Sequence, residues 1–383
     1  MHCELCSLTN NILKTYNDDM ISCENSLFNQ LLINLSFLTS KPTGISTYAT
    51  NLFPHLQHLN PTLLVSQPIA NYSCYPISSN LTPEQGTQGH LRRLMWTQLQ
   101  LGRIYHQLKS RLLFSPIPEA PIFSNCRYIV MVHDLIPLRF PKPFSRLTAY
   151  FRYYLPQVLA QAQHIICNSA ATARDLTDFF GIPSQKITPI LLAYDADRFR
   201  FLDLPTSNYF LYIGRHEAYK NLHRLIAAFA ALPNCRDYEL WLAGPSDRRS
   251  TPSVIAQVEH FGLTAQVKFL DYVPYAELPT IINQAQALVF PTLWEGFGLP
   301  VLEAMACGTP VITSNLSSLP EVAGDAAILV NPYKVEEIAS AMQAVAENSG
   351  LRSHLRQLAL ARASHFSWAK TGQATAEVIF PYL

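Results

Sequence analysis

Short runs of β-branched and aromatic residues alternate with longer segments of helical periodicity along the chain, which is the sequence form of parallel βαβ units. In the first half the runs LLINLSF (31–37), TLLV (62–65), RLLFS (111–115), YIVMV (128–132), HIICN (164–168) and ITPILL (187–192) predict strands, with helices between them. In the second half strands are expected at YFLYIG (209–214), ELWLAG (239–244), VKFLD (267–271), ALVFP (287–291), PVITS (310–314) and AILV (327–330). Each half thus carries a doubly wound α/β set of about six strands, and such sheets bind ligands beyond the carboxyl ends of their strands. Two of them facing each other imply a cleft. The strand pattern stops over 193–208, where Pro and polar residues collect. The expected division is a poorly ordered leader over 1–28, a Rossmann-like domain over 29–195, a second over 196–365, and a C-terminal helix over 366–383 that crosses back to the first domain.

Composition narrows the partners. The 383 residues are enough for two cores, and 28 Lys and Arg nearly cancel 27 Asp and Glu, which argues against a nucleic-acid partner. No apolar run is long enough to span a bilayer, and the first residues lack the basic start and apolar centre of a secretory signal, so a cytoplasmic protein is expected. Cysteines scattered at 3, 6, 23, 74, 126, 167, 235 and 307 fit buried thiols better than a disulfide framework; Cys3 and Cys6 form a CxxC with no second pair to complete a zinc site. From Gln85 to Pro118 there is no acidic residue, while Arg92, Arg93, Arg103, Lys109 and Arg111 are interleaved with Leu, Met95, Trp96 and Tyr105. The stretch 90–113 therefore reads either as a peripheral contact with an anionic membrane, at the inner face of the plasma membrane, or as ordinary core packing under a solvated basic face.

The chemistry concentrates in FPTLWEGFGLPVLEAMACGTPVITS. A strand ends at Pro291, a loop with Gly296 and Gly298 follows, Pro300 suits a first helical turn, and Gly308 closes the helix. The amides of Phe297, Gly298 and Leu299 then lie at a helix N-terminus, where a diphosphate fits. Glu295 and Glu303 flank that turn; facing a phosphate they would repel it, so they suit hydroxyls of a sugar, the alternative being two solvated glutamates beside a buried helix. Following the strand YFLYIG, Arg215 and Lys220 stand where two cations can converge on a diphosphate, or remain solvated; Asn221 is expected to cap a helix that buries Leu222, Leu225, Ile226 and Phe229. In the first half His133 and Asp134 end a strand at the cleft, although a His there can also be a satisfied core residue. Gly44 follows the first strand and either approaches a ligand or turns the chain.

The run EGFGLPVLEAMACGTPVI, with seven residues between Glu295 and Glu303, resembles the signature of retaining glycosyltransferases of family 4, which have the two-domain GT-B fold. IGRHEAYKN is similar to that family's donor-phosphate segment, VHDLIPLRFP to its first-domain histidine segment, IICNSAATARDL to a strand-to-helix passage and FSWAKTGQ to its C-terminal crossing helix, so that about residues 31–380 are covered. The resemblance implies a hexosyl transfer, of mannose or a glucose-type sugar, from a nucleoside diphosphate to a saccharide or lipid-linked saccharide, with no cofactor. It implies that Glu303 holds the ribose, that Glu295, Gly296, Phe297 and Gly298 hold the donor sugar, and that Arg215, Lys220, Gly298, Leu299 and Gly44 serve the phosphates. His133 and Glu295 would stand at the reaction centre. LRRLMWTQLQL and LLFSPIPEAP are similar to members that build bacterial surface polysaccharides, often with mannose donors. The chain departs from the family at Ala193, Tyr194, Asp195, Asp271 and Thr43, of which Thr43 bears on acceptor-side geometry. Asp195, Ala196 and Asp197 imitate a metal-binding Asp-x-Asp, but they are expected at the domain boundary, away from the donor loop, so no metal is expected. A silent sugar-binding or scaffold subunit would have lost the phosphate cations or glutamates, and the glutamate spacing disfavours a nucleotide-sugar epimerase.

Overall fold

The computed structural model describes residues 30–39 and 43–383, so the leader with Cys3, Cys6 and Cys23 lies outside the described residues. Thirteen strands among them form two all-parallel sheets. The first contains β1 (Leu31–Asn34), β2 (Thr62–Val65), β3 (Ser73–Pro76), β4 (Leu112–Ser115), β5 (Tyr128–Val132), β6 (His164–Cys167) and β7 (Ile187–Pro189). The second contains β8 (Tyr209–Ile213), β9 (Glu239–Ala243), β10 (Val267–Leu270), β11 (Ala287–Phe290), β12 (Val311–Ser314) and β13 (Ile328–Val330).

The orders are β3-β2-β1-β4-β5-β6-β7 and β10-β9-β8-β11-β12-β13, so both sheets are doubly wound and reverse direction at one point, between β1 and β4 and between β8 and β11. That reversal opens a crevice above the carboxyl ends of those strands. Ten of the twelve expected strand runs coincide with strands of the sheets to within a residue, while LLINLSF is shortened to Leu31–Asn34 and ITPILL to Ile187–Pro189. The sequence reading missed β3. Its SCYP carries no apolar run because it pairs only with β2, at the sheet edge, where Ser73 and Pro76 are exposed; Pro is tolerated there since no neighbour needs its missing N–H.

Strand alternation divides the core. Leu31, Ile33, Leu112, Phe114, Ile129, Met131 and Ile166 point to one face of the first sheet and share a continuous apolar cluster with the second sheet. Leu32, Leu113, Val130, Val132, Ile165 and Cys167 point to the other face and pack with Trp96, Tyr105, Leu155 and Leu159. Burial on both faces explains why these strands read as unbroken apolar runs. Cys74, Cys126, Cys167, Cys235 and Cys307 are all free thiols.

The basic stretch is a helix, Gly86–Trp96, continued by a π-helical turn Thr97–Leu101 and the helix Gly102–Gln107. Arg93 does not belong to its basic surface: it turns inward, is 3% exposed and pairs with buried Glu119 at 2.7 Å. Trp96 and Tyr105 are core residues as well. Among the described residues no helix is long and apolar enough to cross a membrane.

The helix Leu222–Ala230 buries Leu222, Leu225, Ile226 and Phe229. Asn221 stands at its N-cap position but does not cap it; its side-chain amide instead donates to the carbonyls of Pro291 (2.9 Å) and Pro332 (2.7 Å). Asn221 adopts a left-handed conformation with φ of 65°, which aims its amide at those carbonyls rather than at the helix amides. The last helix, Trp368–Ile379, leaves the second sheet and lies on the segment Phe53–Leu59, with the Thr371 hydroxyl donating to Leu191 O at 2.8 Å. Gly372 makes this contact possible, because a Cβ there would stand 2.2 Å from the Cβ of His55. Gly372→Ala should therefore destabilise the protein by about 1–3 kcal/mol through overpacking, read as a lowered thermal midpoint. An unchanged midpoint would show that the helix does not bear on Phe53–Leu59 in solution.

Candidate active site

The loops after β8 and β11 are neighbours because those strands pair in parallel at the switch point. Leu293 N donates to Tyr219 O at 2.8 Å, the Asn221 side chain reaches Pro291 O, and the Lys220 ammonium meets a Glu295 carboxylate oxygen at 2.7 Å. Both charges are almost wholly withdrawn from solvent. The Glu295 turn is anchored from the next strand as well: Glu295 N donates to Ser317 Oγ at 3.1 Å, and the buried Ser318 hydroxyl lies 2.7 Å from Phe297 O and 3.1 Å from Glu295 O. Arg215 follows β8 but is exposed and takes part in none of the ion pairs among the described residues, so the structure brings Lys220 and Glu295 together and leaves Arg215 at the rim.

Gly298 begins the helix Leu299–Ala306 with φ of 111°, a conformation that favours glycine, and no side chain caps that helix. Its first amides have no partner within the helix, which leaves the donors at its start available to an anion. Glu303, one turn in, is half-buried; burial pushes its carboxyl up to about 7, and the nearby Asp195 carboxylate adds to the rise. This corrects the expectation for the Asp195–Asp197 triplet: Asp195 faces Glu303 and is not remote from the donor loop. The path of the chain after β7 brings this residue, distant in sequence, within electrostatic reach of Glu303. Arg198 pairs with Asp195 at 3.3 Å and lies 4.7 Å from the Tyr275 ring centroid, completing a charged and aromatic rim around Glu303. Among the described residues no group of three His, Cys, Asp or Glu converges as a metal site would require.

His133 and Asp134 follow β5 on the opposite sheet. The His133 Nε2 lies 2.9 Å from Pro116 O, and a carbonyl only accepts, so Nε2 carries the proton and Nδ1 is left as an acceptor. Burial pushes the imidazole down to about 4, which keeps it neutral at physiological pH. Tyr48 packs edge-on against its ring at 5.0 Å and in turn contacts Trp368 of the last helix at 6.2 Å. Asp134 donates nothing but accepts from Ile136 N at 3.0 Å; burial raises its carboxyl to about 6, with a smaller push from Glu295. The two sheets meet here. A Cβ on Gly296 would stand 2.1 Å from His133 O, so only glycine permits the turn after β11 to reach the histidine loop. Gly44 begins the helix Gly44–Leu52, capped by Thr43 in a reciprocal box with Ser46, and open space surrounds the position of its absent Cβ.

Sequence reading singled out Glu295, Gly296, Phe297, Gly298, Leu299, Glu303, Lys220 and His133; in the structure Lys220 pairs with Glu295, Gly296 abuts the His133 carbonyl, and Gly298 and Leu299 start the helix that carries Glu303. It missed Ser317 and Ser318, although they follow β12 and the strand-end logic that selected His133 applied to them equally. It missed Tyr48 and Trp368, for which no local signal exists.

Two doubly wound parallel sheets that meet where the turn after β11 touches the loop after β5, with a helix N-terminus, a buried lysine–glutamate pair and a neutral histidine at that junction, form a GT-B arrangement. The model of the family Glycosyl transferases group 1 matches residues 194–362, and that of Glycosyltransferase Family 4 matches residues 42–198. O-antigen chain mannosyltransferase B of Escherichia coli is 32% identical over 258 residues, 63% of this chain and 67% of that protein. O-antigen chain mannosyltransferase RfbU of Salmonella typhimurium is 26% identical, covering 79% of this chain and 87% of the relative. Serotype-specific mannosyltransferase WbdA of Escherichia coli is 29% identical, and this chain spans 33% of its length. In fold the chain is similar to sucrose-phosphate synthase of Thermosynechococcus elongatus (TM-score 0.75, 18% identity, 92% of this chain and 98% of that one). It is similar also to Anabaena Alr3699/HepE in complex with UDP and glucose (TM-score 0.71, 18% identity, 92% and 99%). The chain belongs to the glycosyltransferases of family 4 and is an enzyme of sugar transfer.

The raised Glu303 carboxyl has a measurable consequence. Its ordinary value is 4.5, so between about pH 4.5 and 7 the unfolded chain releases a proton that the folded chain retains. The stability it supports is full below pH 4.5 and is lost as pH rises through about 7, at roughly 1.4 kcal/mol per unit. Glu303→Gln should match the unaltered protein in urea unfolding near pH 4.5 and exceed it by about 1–3 kcal/mol at pH 8. Equal stability at both pH values would contradict the burial of this carboxyl.

Proposed function

We propose that the enzyme moves a hexosyl group, most closely mannosyl, from a nucleoside diphosphate to a saccharide or lipid-linked saccharide, with retention at the anomeric carbon. The observation that carries this reading is the uncapped helix start at Gly298 set beside Lys220 and Glu295. As the glycosidic bond breaks, negative charge grows on the diphosphate, and fixed amides and cations lower that charge's energy more than they do the ground state's. In this reading the amides of Phe297 to Leu299, with Lys220 and Arg215, receive the phosphates, Glu303 takes the ribose hydroxyls, and Glu295 orients the donor sugar. Removing one such donor of a hydrogen bond costs about 3 kcal/mol in comparable sites. The neutral His133, with Nδ1 accepting, orients a hydroxyl of the donor sugar near the reacting carbon. Glu295 is held by Lys220, which suits recognition better than attack on carbon. Side-chain cations serve the leaving group, so activity should persist in a chelator.

The names of the relatives, mannosyltransferases of O-antigen chains, support mannose and a growing glycan; the Anabaena neighbour, solved with UDP and glucose, supports a nucleotide-sugar donor. The basic stretch supports a peripheral membrane contact. Leu91, Met95 and Leu99, spaced four apart, form an apolar row 59%, 54% and 61% exposed, and Arg92 and Arg103 flank it. A helix with such a row and basic borders lies on anionic lipid.

A screen of GDP, UDP and ADP sugars should find one that stabilises the protein, by about 2.7 kcal/mol at 100 times its dissociation constant. Glu303→Ala should weaken nucleotide binding, while His133→Ala should mainly slow transfer. No stabilisation by any donor, or equal effects of both substitutions on both readouts, would refute these roles. Met95→Glu with Leu99→Glu should reduce cosedimentation with phosphatidylglycerol vesicles and spare transfer to a soluble acceptor; unaltered cosedimentation would remove the membrane reading.

A further inference from the structure

The helix Ala170–Phe180, which follows β6 in the first sheet, is gripped twice by elements that follow the second sheet's strands. Ser169 caps the amide of Thr172 at 3.0 Å, and Glu321 takes the two amides before it, Ala170 N at 2.9 Å and Ala171 N at 3.1 Å, one on each carboxylate oxygen. A carboxylate at this end is favoured by the helix dipole as well as by the hydrogen bonds. Glu321 belongs to the short helix Leu319–Ala323, which Arg362 holds by donating to Glu321 O at 2.6 Å and Val322 O at 3.0 Å.

Farther along the same helix, Asp175 is 1% exposed. Its carboxylate accepts from Arg139, whose Nε lies 3.0 and 3.1 Å from the two oxygens and whose Nη2 also donates, and from the Trp294 indole Nε1 at 3.1 Å. The Arg139 guanidinium carbon stands 3.5 Å from the Trp294 ring centroid, so the cation covers the ring face while the carboxylate takes its edge. Trp294 immediately precedes Glu295, and on the other side the Thr172 hydroxyl lies 3.4 Å from Gly296 O, sharing its one proton between that carbonyl and Asn168 Oδ1 at 3.3 Å. Both neighbours of Glu295 are thus tied to this one helix across the crevice.

We propose that Asp175, oriented by Arg139, is a positioning residue for transfer: it holds Trp294, and through it Glu295, in register with His133. A carboxylate so buried and so fully bonded resists displacement, because any shift leaves a charge unpaired. Nucleotide binding, in the reading above, uses groups following the second sheet's strands, whereas transfer needs both sheets, so this contact acts on turnover more than on nucleotide affinity. The inference rests on the sugar-transfer reading.

The test compares Asp175→Asn, Trp294→Phe and the double variant, with kcat for transfer and the dissociation constant of the nucleoside diphosphate, by calorimetry, as separate readouts. Trp294→Phe keeps an aromatic ring beneath Arg139 and removes the indole N–H along with the five-membered ring that carries it, so it reports the contact even if Asp175→Asn fails to fold. Each single change should lower kcat roughly tenfold or more, leave nucleotide affinity within about twofold, and add little to the other in the double variant. Unchanged kcat in Trp294→Phe, a loss of nucleotide affinity equal to the loss of kcat, or multiplicative effects in the double variant would overturn the positioning role. An unaltered protein that binds nucleotide but transfers no sugar would overturn the transfer reading, and this inference with it.

Discussion

The ion pair between Lys220 and Glu295, 2.7 Å apart and 75 positions apart in the chain, is the contact on which the site depends. Neither charge is accessible enough to be solvated well, so each needs the other, and removing one would leave the other buried and uncompensated. The pair can form only because β8 and β11 are neighbours at the point where the sheet order reverses. It fixes the loop after β11 to the loop after β8. Asn221 from one side and the adjacent Ser317 and Ser318 from the other hold the same loop by hydrogen bonds that need no ligand. Preorganisation of this kind is what lets dipoles act on a developing charge without first reorganising.

The opposite wall is built by different means. His133 is held neutral by burial, which outweighs the opposing effect of its hydrogen bond to Pro116 O, and its ring packs against Tyr48, which itself leans on Trp368. The last helix therefore supports the histidine from behind, and its own seat on Phe53–Leu59 depends on the missing side chain of Gly372. The walls touch where Gly296 meets His133 O, and that contact tolerates no side chain. The electrostatics of the crevice follow: Asp134 and Glu303 are both raised by burial, and each has a second carboxylate nearby, Glu295 for the first and Asp195 for the second.

Much of this was legible in the residues. Apolar runs such as YIVMV and ALVFP marked strands because they are buried on both faces, and EGFGLP marked the turn into the helix Leu299–Ala306 because its glycines and proline fall where a bend and a first helical turn need them. What escaped depends on distance along the chain. β3 has no apolar run because it is an edge. Asp195 seemed to belong to a linker, and only the path of the chain after β7 brings it within electrostatic reach of Glu303. Asn221 looked like a cap, since its neighbours in sequence are helical, yet its partners are two prolyl carbonyls 70 and 111 positions away. Arg93 looked like part of a basic surface until Glu119 drew it inward.

The most direct measurement is a crystal structure of the protein soaked with a nucleoside diphosphate. The phosphates are expected on the amides of Phe297 to Leu299 with Lys220 or Arg215 in contact, and the ribose hydroxyls on Glu303. A diphosphate seated elsewhere, with the turn after β11 empty and the ribose away from Glu303, would contradict the assignment of this crevice as the donor site.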